Sequence, residues 1–214
     1  MKYRKIGNSD LEVSVVALGT WVFGGDSWGV ADDTMSVKVA EKAIEKGINF
    51  IDTAPVYGSG RSEEIVGKAI QNKRDKVFLA TKCGLEQKGS SIRANLKKEF
   101  IRTEIENSLR RLKVEMIDLY QCHWPDPNTP VEETFGELNK LIKEGKIRYI
   151  GVSNFDKKVL EDACQQANIV SNQVQYSILE RKIEKELVPF CKEKNISILS
   201  YGALGGGILT GKYS

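Results

Sequence analysis

IDLYQCHWPDPNTPVEETFGELNKLIKEGKIRYIGV, residues 117–152, decides the fold because it holds one complete repeating unit. Ile117–Cys122 is a short run of mainly apolar residues that reads as a buried strand. An apolar stripe through Phe135–Ile142, at spacings of three and four, is one face of a helix. Glu144-Gly145-Lys146 then supplies a glycine stop, and Ile147–Val152 opens the next strand.

The same unit recurs on both sides. Further strand candidates are Val15–Leu18, Asn49–Ile51, Val77–Thr81, Asn172–Val174 and Ile196–Ser200. Helical stripes run through Val37–Ile44, Ile65–Ile70, Ile101–Leu112, Val159–Ala167 and Ile183–Phe190. The strand starts fall about 30 residues apart, the length of one βα unit with a right-handed crossover. Strict alternation places the chain in the α/β class and predicts a closed (β/α)₈ barrel rather than an open doubly wound sheet. Lys2–Ile6, a Gly7–Asp10 turn and Leu11–Ser14 read as a hairpin over residues 1–14 that plugs the bottom of a single barrel domain spanning 1–214. Seven strands fit, whereas an eighth βα unit has no residues left, since such barrels take ~250. Gly211–Ser214 reads as mid-loop, so the expectation is a fragment of a longer chain.

Composition narrows the function classes. With 41% hydrophobic and 29% charged residues, disorder and collagen-like structure are excluded. No apolar run approaches the ~18–20 residues of a membrane span. The opening MKYRKIGNSD lacks the apolar core of a signal peptide, so a cytoplasmic location is expected. The 32 basic and 29 acidic residues are well mixed, which gives no electrostatic case for nucleic acid or a membrane surface as partner. Cys83, Cys122, Cys164 and Cys191 form no CxxC pair, and only one histidine is present. Reduced thiols and no metal site follow as expectations.

In a (β/α)₈ barrel, chemistry sits where the strands end. In order, those positions carry Gly19-Thr20-Trp21, then Asp52 with Tyr57 in the following loop, then Lys82. His123 with Trp124 comes next, followed by Ser153-Asn154, Gln175 and Tyr201. Each has a bland reading. Asp52 is a good loop cap, His123 a good structural histidine, Gln175 a barrel filler, and Ser153-Asn154 a helix cap. Lys82, directly after an apolar strand, is the hardest to dismiss, because a buried ammonium needs a partner and Asp52 is the natural one. A phenol about 4 Å from that ammonium feels roughly 4 kcal/mol at an effective dielectric near 20. The expected result is a Tyr57 pKa lowered by up to about 3 units, with burial and the Asp52 charge opposing. A neutral His123 is suited to orienting a carbonyl group. Together the four groups suit protonation of a carbonyl oxygen while another agent delivers hydride.

Five stretches carry a resemblance: GINFIDTAPVYGSGRSEEIVGKAI (47–70), FLATKCG (78–84), DLYQCHWPDP (118–127), IRYIGVSNF (147–155) and ILSYGALGGGILTGKY (198–213). In this order they resemble the aldo-keto reductase superfamily. The WG, HWPDP and VEET wording is similar to its bacterial inositol-operon and general-stress branch. The resemblance implies a barrel that reduces aldehydes and ketones with a nicotinamide cofactor. Tyr57 would be the general acid, Asp52 and Lys82 would tune it, and His123 would place the carbonyl. It assigns Ser153, Asn154 and Gln175 to the carboxamide, Tyr201 to stacking on the nicotinamide ring, and Gly19, Thr20 and Trp21 to the nicotinamide end. Asp52 would also touch the ribose. Gly202, Leu204, Gly206 and Lys212 would follow the pyrophosphate, and Trp21, Tyr57 and Trp124 would line the substrate pocket. NADPH is the implied cofactor, with NADH the alternative, because the family's adenosine-binding stretch has no counterpart here. Potassium-channel β subunits resemble the same family, which makes a cofactor-sensing subunit the second reading; an inactive truncated form is the third.

Overall fold

The computed structural model describes residues 1–25, 29, 31–89 and 91–212; Trp28, Tyr213 and Ser214 of the quoted motifs lie outside the described residues. Tyr3–Lys5 (β1) and Glu12–Ser14 (β2) pair antiparallel as a hairpin. Alternation then begins: Leu18–Gly19 (β3), Asp33–Glu45 (α1), Phe50–Asp52 (β4), Arg61–Ile70 (α2) and Phe78–Cys83 (β5). Leu85–Lys88 (β6) and Ser91–Ala94 (β7) interrupt it as a second hairpin. It resumes with Lys98–Leu112 (α3), Ile117–Cys122 (β8), Val131–Lys143 (α4), Ile147–Ser153 (β9), Lys157–Gln166 (α5), Ile169–Gln175 (β10), Leu187–Glu193 (α6) and Ser197–Tyr201 (β11).

The strands β3, β4, β5, β8, β9, β10 and β11 form one parallel sheet in chain order. That sheet is curled. β4 and β10 are four strand spacings apart, about 19 Å if the sheet were flat. Yet Gln173 on β10 donates a hydrogen bond to Asp52 on β4 at 3.1 Å. Only an arc that turns its inner face on itself brings those side chains together. The architecture is thus seven strands of a (β/α) barrel, with β3 and β11 at its edges.

Period-2 alternation divides the sheet into two packing layers. Outward-facing Ile51, Leu79, Ile150 and Val152 meet the helical stripes, including Ile65, Ile105, Leu138 and Leu160, all fully buried. Each such side chain contributes about 1.5–3 kcal/mol on leaving water. Inward-facing Phe50, Ala80, Leu119 and Val170 form a smaller core with Ile6, Leu11 and Val13 of the hairpin. The hairpin closes this lower end: the Gly7 N–H donates to Ser197 Oγ at 2.8 Å, and the Ser14 N–H donates to Asn49 Oδ1. Below it, buried Asp118 holds Arg74 and Arg148, and Arg148 reaches on to Asp10 of the turn. The apolar floor leaves the other end of the inner face free for polar groups.

Several boundaries differ from the sequence reading. The first barrel strand is only Leu18–Gly19, since Val15 and Val16 are more than half exposed and precede the pairing to β4. The β6–β7 hairpin is an unpredicted element; its alternation is weak because it is mostly exposed. β10 starts three residues earlier than predicted, at Ile169, with an irregular register against β9. The last stripe divides into a short 3₁₀ turn at Lys182–Glu184 and α6.

Candidate active site

Two residues above the apolar inner layer, the same strand faces turn polar: Phe50 gives way to Asp52, Ala80 to Lys82 and Leu119 to Gln121. Lys82 is fully buried. An ammonium has three donors, and all three are used here. They go to Asp52 Oδ2 at 2.7 Å, the Thr53 carbonyl at 2.9 Å and Tyr57 Oη at 3.3 Å. The other Asp52 oxygen, Oδ1, accepts from Gln121 Nε2 and Gln173 Nε2, each at 3.1 Å. Asp52 therefore acts as the carboxylate partner of Lys82 rather than as a loop cap.

Tyr57 reaches this cluster from the loop after β4. Its position depends on two glycines placed back to back. A Cβ on Gly24 would lie 2.6 Å from Gly58 N, and one on Gly58 would lie 2.5 Å from Gly24 O. With hydrogen there instead, the Trp21–Gly24 turn packs directly on the Tyr57 loop. The Trp21 and Tyr57 rings then stack at 6.1 Å and 26°, and the His123 ring meets Tyr57 edge-on at 5.9 Å. Thr20 ties the turn to β4, its N–H donating to the Asp52 carbonyl at 3.0 Å.

Electrostatics follow from burial and from the single cation. Burial and the Lys82 charge hold the His123 imidazole well below its usual pKa, so it is neutral at physiological pH. Burial works against the Lys82 charge, but Asp52 and Tyr57 outweigh it, and its pKa rises. Tyr57 departs from the sequence expectation. Burial pushes its phenol up from 10.0 and Asp52 adds to that, while Lys82 pulls the other way and loses. The simple Coulomb reading underestimated the cost of placing a phenolate among aromatic rings.

The residues assigned to a cofactor fall into two groups. Ser153, Asn154 and Tyr201 are brought together: Tyr201 Oη donates to Asn154 Oδ1 at 2.9 Å, and Asn154 Nδ2 donates to Ser153 Oγ and to the His123 carbonyl. Asn154 adopts φ +62°, a conformation asparagine tolerates, and its amide donates back to the His123 carbonyl. Helix α5 is capped by Asp156, not by Ser153 or Asn154. Gly19 pairs with Asp52, and a Cβ there would meet open space. Gly202, Leu204, Gly206 and Lys212 stand on the segment leaving β11, with a 3₁₀ turn at Gly205–Thr210. Trp21 and Trp124 are both about half exposed at the mouth.

Gln175 is the misplaced one. It is exposed at the end of β10, while Gln173 faces Asp52 and also takes Ser153 Oγ–H and the Asn154 N–H on its carbonyl. Gln121 was missed altogether. Reading only the last residue of each strand overlooked it, although alternation from Leu119 points it inward.

The Ser153, Asn154 and Gln173 polar groups, the half-exposed Tyr201 ring and the open space above Gly19 fit a carboxamide-bearing aromatic ring laid across the mouth. The aldo/keto reductase family model matches residues 15–214. Aldo-keto reductase YhdN of Bacillus subtilis is 45% identical over 99% of this chain and 65% of its own length. The NADH-specific methylglyoxal reductase of Escherichia coli is 40% identical over 99% of this chain and 70% of its own. Among solved structures, glycerol dehydrogenase AKR11B4 from Gluconobacter oxydans superimposes with a TM-score of 0.93 at 45% identity, covering all of this chain and 67% of that one. An aldo-keto reductase from Klebsiella pneumoniae in complex with NADPH gives 0.86 at 33% identity, covering 98% of this chain and 71% of that one. The chain thus spans about two thirds of the length of the relatives it matches, and over that span it belongs to the aldo/keto reductase family.

Proposed function

We propose that the protein reduces aldehydes or ketones with a nicotinamide cofactor, Tyr57 donating the proton. The observation that carries this reading is the buried Lys82 ammonium, whose three donors hold Asp52, the Thr53 carbonyl and the Tyr57 hydroxyl at the mouth of a barrel. When bound, the cofactor supplies a hydride to the carbonyl carbon. Neutral His123 donates a hydrogen bond that orients the carbonyl oxygen beside Tyr57. The Tyr57 O–H bond breaks as the carbonyl oxygen gains charge, leaving an alcohol and a tyrosinate. Lys82, 3.3 Å away, stabilises that tyrosinate until water returns the proton. A phenol whose pKa is raised while at rest stays protonated until it is needed.

Ser153, Asn154 and Gln173 would hold the carboxamide, and Tyr201 would stack on the nicotinamide ring. NADPH is our preferred cofactor: one structural neighbour is in complex with NADPH, and one relative is named NADH-specific, which makes NADH the alternative. Trp21 and Trp124 favour aromatic or medium-sized carbonyl compounds. A fluorescence titration of the purified chain with NADPH and with NADH tests the cofactor site. Saturable quenching at lower concentration for NADPH is expected. Saturation by neither, in a chain folded by circular dichroism, counts against the site.

A further inference from the structure

We propose that Gln121 is a positioning residue of this site: its side-chain amide holds the Asp52 carboxylate in the rotation that presents its opposite oxygen to Lys82. The proposal rests on the reductase reading and adds a fifth residue to the group behind Tyr57. Gln121 is fully buried on β8, two residues before His123. Its Nε2 donates to Asp52 Oδ1 at 3.1 Å, while Lys82 takes Oδ2 at 2.7 Å.

Two further observations separate this role from simple core filling. First, Gln121 Oε1 is buried and has no hydrogen-bond partner among the described residues. An unpaired buried acceptor destabilises a fold, and a hydrocarbon side chain of similar shape would avoid the penalty. Turning the amide over would set Oε1 against the carboxylate, so only the donor end can face Asp52. Its donor end is thus paired with Asp52 while its acceptor end has no compensating bond. Second, the neighbouring strand β9 leaves room for it. A Cβ on Gly151 would lie 3.0 Å from Gln121 Cγ and 2.5 Å from Ser171 Oγ. The missing side chain at 151 leaves the space that the Gln121 stem occupies.

The charged and titratable groups that interact with Lys82 are Asp52 on β4, Tyr57 on its loop and His123 after β8, and Tyr201 on β11 acts on Tyr57. Among the described residues, Asp52 is the one carboxylate that Lys82 bonds. Without the Gln121 amide, Gln173 alone steadies Oδ1, the carboxylate rotates, and the support for the Lys82 charge weakens.

The test uses Gln121→Leu and Gln121→Met, two variants so that misfolding of one leaves the other. Lys82 is followed by ¹³C NMR at Cε in lysine-labelled protein, its signal assigned by loss in Lys82→Arg. In both variants the Lys82 titration midpoint is expected to fall by about one unit. The melting temperature is expected to change little, because loss of the unpaired acceptor offsets the lost bond to Asp52 and the weaker hold on the Lys82 charge. Carbonyl-reduction kcat falls about tenfold with KM little changed, and the basic limb of its pH profile moves down with Lys82. An unmoved Lys82 midpoint in folded variants overturns the proposal. So does a melting temperature lowered in step with the loss of turnover, which marks a structural role. A shifted midpoint in a protein that reduces no carbonyl compound upholds the positioning of Asp52 and Lys82 and instead removes the reductase reading.

Discussion

Tyr57→Phe is expected to lower kcat for carbonyl reduction by about 10²–10⁴-fold while leaving cofactor affinity and thermal stability close to those of the parent. The substitution removes one oxygen and keeps the ring, so the contacts with Trp21 and His123 persist. Lys82 loses its longest hydrogen bond, 3.3 Å, and keeps Asp52 at 2.7 Å and the Thr53 carbonyl at 2.9 Å. The Lys82 ammonium that remains is fully buried and held by Asp52 and the Thr53 carbonyl. His123 is neutral and sits edge-on to Tyr57, which suits it to orientation. Steady-state kinetics, paired with a fluorescence titration of the variant, check the prediction. Retained turnover in Tyr57→Phe would place the proton donor elsewhere and dismantle the mechanism.

Lys82→Met is expected to affect both folding and activity. Removing one partner of a buried ion pair costs about 3–5 kcal/mol. The figure here falls toward the lower end, because Gln121 and Gln173 still donate to Asp52. The Thr53 carbonyl also loses its donor. The pH dependence follows from the raised Lys82 pKa. A cation held more tightly in the folded state stabilises fully below its unfolded pKa of about 10.4, and the stabilisation is lost as pH rises through the folded value. The stability gap between the parent and Lys82→Met is therefore constant through neutral pH and narrows above about pH 10.5, by at most about 1.4 kcal/mol per pH unit. Urea unfolding of both proteins at pH 7 and pH 11 measures it. A gap unchanged at the higher pH would show that packing, not charge, is what Lys82 contributes.

Much of this site was legible in the sequence, because a parallel barrel converts chain order into geometry. Once seven βα units are recognised, Asp52, Lys82 and His123 must point toward one mouth, and the structure puts them there. Four features were not legible. The inward register of β10 depends on where the strand starts and on its irregularity against β9, so Gln175 was chosen where Gln173 faces in. Gln121 lies one residue below the strand end, and only its hydrogen bond to Asp52 distinguishes it from barrel filling. The Tyr57 phenol was expected to shift down because the Lys82 charge can be read from sequence, whereas the extent of burial that pushes it up cannot. The Gly24–Gly58 contact that sets the Tyr57 loop is likewise invisible until two distant turns are seen against each other.

The central claim is that this cluster directs hydride transfer to a carbonyl carbon and donates the accompanying proton from Tyr57. Its most direct test is reduction of an aromatic aldehyde with nicotinamide cofactor deuterated at C4, in the parent and in Tyr57→Phe. The account predicts deuterium on the carbinol carbon of the alcohol formed by the parent, and essentially no alcohol from a variant that still binds cofactor. Saturable cofactor binding with no labelled alcohol from the parent across a panel of aldehydes and ketones would contradict it.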